Sequence, residues 1–338
     1  MQFGFCLPIF AGSGDAHPRT PLLDRVDIDE LERAVLAAES LGYASIWAAD
    51  HLILGRDGLI LEGWTILAAL ARVTRRLRLG TIHYANRFRD PAMTAKMAAT
   101  LDFISQGRLD FFFDPYAGTR PEADAYGLAG FDNDTTLARF EEAIPIVRRM
   151  WTEEAPTFHG AHYAIDQARC YPQPVQQPMP LWIGTSGGGG GHAPETRTLV
   201  QKQAQIVARY ADWHNSSPTT VASLRNVLDL IRQACDREPP GRGRDYAAIG
   251  KSLETQVLVT DTAAEARRIQ EQIMARNPHY GDWEALSERF IMGDVDTVTR
   301  RLTDYADLGV SYFMCWFMDY PSLDGMQRLA QKVMPYFA

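Results

Sequence analysis

The chain has 338 residues, of which 46% are hydrophobic and 22% are charged, and these are ordinary values for a globular protein. Its formal net charge of -8, with no basic run, argues against a protein that binds nucleic acid. The N-terminus lacks the basic start of a signal peptide, and no apolar stretch approaches the ~20 residues of a membrane-spanning helix, so we expect a cytoplasmic protein that does not enter a membrane.

The four cysteines are scattered along the chain, and no two of them form a CxxC pair. This distribution fits a reducing compartment better than a disulfide framework or a zinc site. His159 and His162 have a spacing that suits a metal on a helix, but Gly160 and the neighbouring aromatic residues favour a hairpin. We therefore predict no metal site.

Eight short apolar segments with the character of buried strands follow one another, and most of them are separated by helical patterns. The strands are predicted at residues 3–7, 45–49, 77–82, 109–113, 181–183, 213–216, 252–259 and 312–317. The helices are predicted at residues 28–41, 62–74, 91–105, 135–151, 201–211, 219–237, 262–275, 295–308 and 323–336. This order predicts an α/β fold, a (β/α)8 TIM barrel with inserted loops, in a single domain over residues 1–338.

The segment Leu41–His51, LGYASIWAADH, combines several of these signals. Gly42 ends a helical pattern, and Ser45–Ala49 is a continuous apolar run typical of a strand that is buried on both faces. Asp50 and His51 then stand at the carboxyl end of the strand, where TIM barrels hold their catalytic groups. In one interpretation they form a catalytic site, since histidine exchanges protons near neutral pH. In the other, Asp50 caps the next helix and His51 hydrogen-bonds a loop.

A glycine-rich stretch, GTSGGGGG, begins at Gly184 directly after the fifth predicted strand. Its backbone N–H groups and two hydroxyls suit a turn that binds phosphate. It matches neither the P-loop nor the dinucleotide-binding pattern, and a flexible linker is the alternative. Because it lies at the same end of the barrel as His51, we favour the phosphate site.

Six segments of the chain resemble the bacterial luciferase-like family of flavin- or deazaflavin-dependent oxidoreductases. They follow the order of the family and cover nearly the whole chain: LGYASIWAADH, EGWTILAALARVTRRLRLGT, RDPAMTAKMAATLDFISQGRLDF, VQQPMPLWIGTSGGGG, ARYADWHNSS and GDVDTVTRRLTDYADLGVSYFMCW. The resemblance implies a TIM-type barrel with an FMN or F420 site at its carboxyl-terminal mouth. It also implies a homodimer that packs through the early helices.

The resemblance assigns roles to particular residues. His51, preceded by Asp50, matches the active-site histidine of the family. The end of the third strand matches a segment that supports the isoalloxazine ring, often through a strained or cis peptide, and the turn after the fifth strand matches the phosphate-binding turn. The cofactor-binding residues implied in this way are His83, Tyr84, Ala85, Asn86, Thr185, Ser186, Gly187 and Gly188.

The chain departs from the family after the fourth strand, where the family usually has glycines. Here the sequence is Phe112-Phe113-Asp114-Pro115-Tyr116, and such bulky rings would narrow the mouth or line a substrate pocket. Other aromatic residues could help to keep this pocket dry, with ordinary core packing as the alternative for each. The substrate-pocket residues that we predict are Phe10, Trp64, Phe113, Asp114, Tyr116 and Trp316.

Three functions fit these observations. The first, which we favour, is a monooxygenase that takes reduced FMN from a separate reductase and uses O₂ to oxidise a small organic substrate. The absence of a nicotinamide-binding pattern agrees with a borrowed reduced flavin. The second is an F420-dependent oxidoreductase that moves a hydride without O₂. The third is a flavin-binding protein without turnover, and the pair Asp50-His51 argues against it.

Overall fold

Eight parallel strands close into a barrel at the centre of the computed structural model, which describes residues 1–12, 17–115, 119–128, 132–185, 194–239 and 243–338. Each strand pairs in parallel with the next, and the last pairs with the first. The strands are β1 (Gln2–Cys6), β2 (Ser45–Ala48), β3 (Arg78–Thr81), β4 (Leu109–Asp114), β5 (Leu181–Thr185), β6 (Trp213–Ser216), β7 (Gly250–Thr260) and β8 (Tyr312–Phe317). The predicted (β/α)8 TIM barrel is confirmed.

Helices surround the barrel and follow most of its strands. They are α1 (Ile28–Ser40), α2 (Gly63–Val73), α3 (Pro91–Ser105), α4 (Arg120–Ala125), α5 (Asn133–Thr152), α6 (Pro194–Tyr210), α7 (Val221–Arg237), α8 (Ala263–Arg276), α9 (Trp283–Ser287), α10 (Val295–Ala306) and α11 (Asp324–Arg328). Local chemistry sets their ends. The Asp27 carboxylate accepts a hydrogen bond from the Glu30 N–H at the start of α1, and Gly42 takes a left-handed φ of +86° after its end.

The amino-terminal half of the barrel interior is closed by an aromatic floor made of Trp47, Trp182, Trp213 and Tyr312. The indoles of Trp182 and Trp213 stack with ring centroids 4.5 Å apart, and Trp47 meets Trp182 edge-on at 5.3 Å. Gly80 makes room for this packing, because a Cβ at that position would lie 2.2 Å from the ring of Trp47. Polar side chains gather at the opposite, carboxyl-terminal end.

Short elements differ from the prediction. The region 116–134, which the sequence predicts as a loop, contains α4, and the predicted helix 323–336 continues after α11 as a π-helical and then a 3-10 turn. The helix α9 and the strand Ile291–Asp294 lack a predicted counterpart, because elements of four or five residues are too short to show a period. The hairpin predicted around Gly160 is present, with strands Phe158–His159 and Ala164–Ile165.

The described residues include no helix that is both long and apolar enough to cross a membrane. They also contain no group of three or more histidine, cysteine, aspartate or glutamate side chains that could hold a metal ion.

Candidate active site at the mouth of the barrel

His51 follows β2 at the rim of the mouth and is paired with Glu122, the third residue of α4. The Nδ1 atom of His51 lies 3.0 Å from Oε2 of Glu122, and 19% of the His51 side chain is exposed. The other Glu122 oxygen accepts hydrogen bonds from the backbone N–H groups of Leu52 and Ile53, at 2.8 and 2.9 Å. Glu122 therefore fixes both the imidazole and the backbone that carries it.

Asp50 has a different partner from its neighbour in the sequence. Its carboxylate is buried, accepts two hydrogen bonds from the Arg89 guanidinium at 2.8 and 2.9 Å, and accepts a third from the Ala85 N–H at 2.9 Å. Burial raises the pKa of Asp50, and the charge on Arg89 opposes that effect. Asp50 thus ties the end of β2 to the segment after β3, whereas His51 pairs with Glu122.

His83 stands deeper in the mouth, between two carboxylates that come from β4 and β7 on different sides of the barrel. Its Nδ1 lies 3.6 Å from Oδ2 of Asp114 at the end of β4, and its Nε2 lies 3.4 Å from Oε2 of Glu254 in β7. The ring packs on Phe112 with centroids 4.5 Å apart. The peptide bond between Ile82 and His83 is cis, as the resemblance implies.

Glu254 is the central anion of this group. Its Oε1 accepts a hydrogen bond from the Trp316 indole at 2.7 Å and lies 3.5 Å from the Nε of Arg19. Burial would raise the pKa of Glu254, but the close contact with His83 and the charge on Arg19 outweigh that effect and bring the pKa to about 2. Glu254 is therefore ionised at neutral pH.

The alternation of side chains along each strand decides which predicted pocket residues reach the mouth. Asp114 and Trp316 point into the barrel beside His83 and Glu254, and Phe10 packs on Trp316 with centroids 5.7 Å apart. Phe113 is a correction. Its ring points outward and packs on Phe140 of α5, so it belongs to the layer between the barrel and its helices.

Trp64 is a second correction. Its ring packs edge-on against Tyr84, and the Tyr84 hydroxyl hydrogen-bonds to Thr94 of α3, behind the barrel wall. Both aromatic residues are buried core residues. Of the predicted cofactor segment, the side chain of His83 reaches the mouth, whereas the Tyr84 side chain does not.

The predicted phosphate turn is described only at its first residue. The Thr185 hydroxyl is buried and lies 3.0 Å from Nε2 of His214 in β6. Burial lowers the pKa of His214 to about 3, so this imidazole is neutral. Ser186, Gly187, Gly188 and the pocket residue Tyr116 lie outside the described residues.

A flavin-type cofactor is compatible with the residues at the rim. Asn86, which follows Tyr84 and Ala85, is buried, and its Oδ1 lacks a hydrogen-bond partner within the described ranges. A buried acceptor without a donor is unfavourable, and a polar ring or tail bound there would supply one. The donors and acceptors of His83 and Asn86 are therefore suited to a polar aromatic cofactor.

Four charged residues of this region are absent from the residues that we predict from the sequence: Arg19, Arg89, Glu122 and Glu254. Glu122 had a usable signal, because Thr119 and Glu122 have the spacing of a capping box, which the structure contains at the start of α4. Glu254 also had a usable signal, because it is an acidic residue inside a strand, 252–259, that the sequence predicts to be buried. Nothing in the sequence indicates that Arg19 and Arg89 would reach these carboxylates.

A (β/α)8 barrel with charged side chains at the carboxyl ends of its strands is the architecture of a TIM-barrel enzyme. The sequence model of the luciferase-like monooxygenase family matches residues 1–312. An F420-dependent glucose-6-phosphate dehydrogenase from Intrasporangium calvum is 32% identical over 304 residues, which cover 84% of this chain and 87% of that protein. The chain belongs to the luciferase-like family of flavin- or F420-dependent oxidoreductases, and it is an enzyme.

Two solved structures share the fold. An F420-dependent secondary alcohol dehydrogenase, in complex with an F420-acetone adduct, matches with a TM-score of 0.77 and 15% identity over 98% of both chains. A monooxygenase from Streptomyces bottropensis matches with a TM-score of 0.74 and 22% identity over 100% of both chains. At these identities the likeness concerns the fold alone.

Proposed function

We propose that the protein is an F420-dependent dehydrogenase that oxidises a small alcohol by hydride transfer without O₂. The observation that carries the proposal is the 3.0 Å contact between Nδ1 of His51 and the carboxylate of Glu122 at the rim of the mouth. The F420-dependent relative supports the choice of cofactor. This relative favours hydride transfer over the monooxygenase interpretation, in which O₂ and a separate flavin reductase take part.

The His51–Glu122 pair has the arrangement that proton removal from an alcohol requires. With Nδ1 bonded to a carboxylate, the imidazole carries its proton on Nδ1, and Nε2 is the free basic nitrogen. When an alcohol becomes a carbonyl compound, the carbon loses a hydride and the oxygen loses a proton. Nε2 of His51 accepts that proton, and the Glu122 charge stabilises the imidazolium that forms.

The cofactor, when bound, supplies the ring carbon that accepts the hydride. Residues on both sides of the mouth would hold it. In this proposal Asn86 and the backbone of Ala85 would contact the ring, and Thr185, Ser186, Gly187 and Gly188 would hold the phosphate. His51, at the rim, would receive the proton of the substrate hydroxyl.

The test is an anaerobic titration of the purified protein with F420 and, separately, with FMN, followed by turnover with a panel of secondary alcohols and sugar phosphates. We expect F420 to bind, and an alcohol to reduce it without O₂. Binding of FMN alone, with O₂ consumption that depends on substrate and reduced FMN, would support the monooxygenase instead.

His51→Ala tests the assigned base in the same assay. We expect the turnover number to fall ~10²–10⁴-fold, the usual contribution of general acid–base catalysis, while the Kd of F420 changes little. His159→Ala, at an exposed position in the first strand of the hairpin, is the matched control. Normal turnover by His51→Ala at saturating F420 would exclude His51 as the base.

A further inference from the structure

A cleft of about 480 Å³ lies between α8, the chain that follows β8 and the segment that follows β1. One wall is a single face of α8, on which Glu265, Ile269, Gln272 and Arg276 succeed one another at helical spacing. The residues that line this cleft take no part in the contacts of the candidate active site at the mouth. Its size is within the range of pockets that bind small molecules.

Two arginines in the cleft are already paired. The guanidinium group of Arg276 lies 3.2 Å from the carboxylate of Asp24. The guanidinium group of Arg328 lies 3.2 Å from Glu265 and 3.2 Å from Asp261, which is just outside the cleft. Both guanidinium groups therefore have their counter-charges.

Asp319, two residues after the end of β8, is the buried acid of the cleft, and its side chain is 5% exposed. Its Oδ2 accepts a hydrogen bond from the N–H of Gly325 at 2.8 Å. Its Oδ1 has no hydrogen-bond partner in the part of the chain that the structure describes. A buried acceptor without a donor is unfavourable, so a ligand that brings a donor to this oxygen would gain from it.

The charge of the cleft favours a cation as this donor. Four carboxylates line the cleft with three guanidinium groups, and one of the four, Asp324, acts electrostatically on Asp319. An ammonium group carries three N–H donors, and its hydrogen bonds to carboxylates are strengthened by charge. Leu22 and Ile269 add apolar surface, which suits a short alkyl chain.

We propose that this cleft binds a small primary amine, whose ammonium group donates to Oδ1 of Asp319 while its alkyl part packs on Leu22 and Ile269. The amine would join three parts of the chain, namely α8, the segment after β1 and the chain after β8. The site is separate from the mouth of the barrel, and the inference does not depend on the proposed function.

Protonation of Asp319 should control the affinity for the amine. Burial raises the pKa of this carboxyl to about 6; the Gly325 N–H and the charge on Arg328 oppose that effect, and the charge on Asp324 adds to it. At pH 7.5 the carboxyl is ionised, whereas at pH 5 most of it is protonated and cannot hold an ammonium group. The other charged residues that face the cleft are Asp24, Glu265, Arg268 and Arg276.

Isothermal titration calorimetry of the full chain with butylamine hydrochloride tests the site at pH 7.5 and at pH 5, since butylamine is protonated at both. We expect binding at pH 7.5 that weakens roughly tenfold at pH 5, because about one carboxyl in ten stays ionised one pH unit below its pKa. Butan-1-ol, with the same alkyl chain and no charge, should bind far more weakly. No binding of butylamine, equal binding of butan-1-ol or an affinity that does not change with pH would overturn the inference.

Asp319→Asn removes the charge and keeps an oxygen that can accept from the Gly325 N–H. At pH 7.5 we expect its affinity for butylamine to fall by roughly tenfold or more, as a charge-assisted hydrogen bond is lost, and its pH dependence to disappear. Glu271→Gln, at an exposed position of α8 that does not line the cleft, is the matched control and should bind as wild type does. Unchanged affinity in Asp319→Asn would overturn the inference, and if that variant does not fold, the pH dependence of wild type decides.

Discussion

The Glu122 carboxylate accepts more hydrogen bonds than a carboxylate in a simple surface ion pair does. It accepts hydrogen bonds from His51 and from the backbone N–H groups of Leu52, Ile53 and Thr119. Burial would raise its pKa, but these donors, led by His51, bring the pKa to about 2 from the ordinary value of 4.5. Glu122 therefore binds its proton more weakly in the folded protein than in the unfolded chain.

This difference makes part of the stability dependent on pH. A carboxyl with a lowered folded pKa contributes stability that is complete above its unfolded pKa and is lost as the pH falls toward the folded pKa. Between pH 6 and pH 3.5 we expect wild type to lose about 1.4 kcal/mol more unfolding free energy than Glu122→Gln, as linkage gives for this pKa change. Urea unfolding at the two pH values measures this, and equal losses would contradict the assignment.

Among the elements, β3 shows how the barrel interior is shaped by the absence of a side chain. Gly80 faces the aromatic floor, and a Cβ there would lie 2.2 Å from Cζ3 of Trp47. The Trp47 indole cannot retreat, since its Nε1 donates to Ser45 at 2.6 Å and its ring packs on Trp182 and Tyr312. The position requires glycine for space and not for backbone conformation.

Gly80→Ala should therefore destabilise the fold by overpacking, by about 1–3 kcal/mol. Trp47→Phe removes the six-membered part of the indole that the new methyl group would meet. In a double-mutant cycle we expect Gly80→Ala to cost less in the Trp47→Phe background. Denaturant unfolding of the four proteins measures this, and strictly additive costs would show that Trp47 does not set the limit at position 80.

At the scale of the molecule, an apolar groove lies on the outside of α3. Phe103 is 58% exposed and Val175 is 55% exposed, and both line this groove together with Ile104. Apolar side chains that are grouped on a surface mark association sites more often than single ones do. We expect the groove to be part of a homodimer interface that involves the early helices.

Sedimentation velocity at micromolar concentration should give a species of twice the 37.9 kDa chain mass. Phe103→Glu should shift it toward the monomer, because a charge in a buried interface is costly. Tyr336→Glu, at a residue that is 71% exposed near the end of the chain, is the control. A monomer in wild type would rule out the dimer, and an unaffected dimer in Phe103→Glu would place its interface elsewhere.

The sequence by itself determined the barrel, because each buried strand and each amphipathic helix is encoded within a few successive residues. The strands predicted at 213–216 and 312–317 have the observed bounds, and α3 begins at Pro91 and ends at Ser105 as predicted. The helix caps and the position of His51 after β2 are local features as well. Family membership also followed from segments that are read along the chain.

Only the tertiary structure decided which charged groups meet. Glu122 is 71 positions away from His51, and Glu254 approaches both Arg19 and His83 from the far side of the barrel. Such pairs depend on strand register and on the closure of the barrel, which bring together residues that are far apart in the sequence. Strand register and barrel closure also decide to which side a buried side chain points. The sequence indicated that Phe112 and Phe113 are buried, and the structure placed Phe112 inside the barrel and Phe113 outside it.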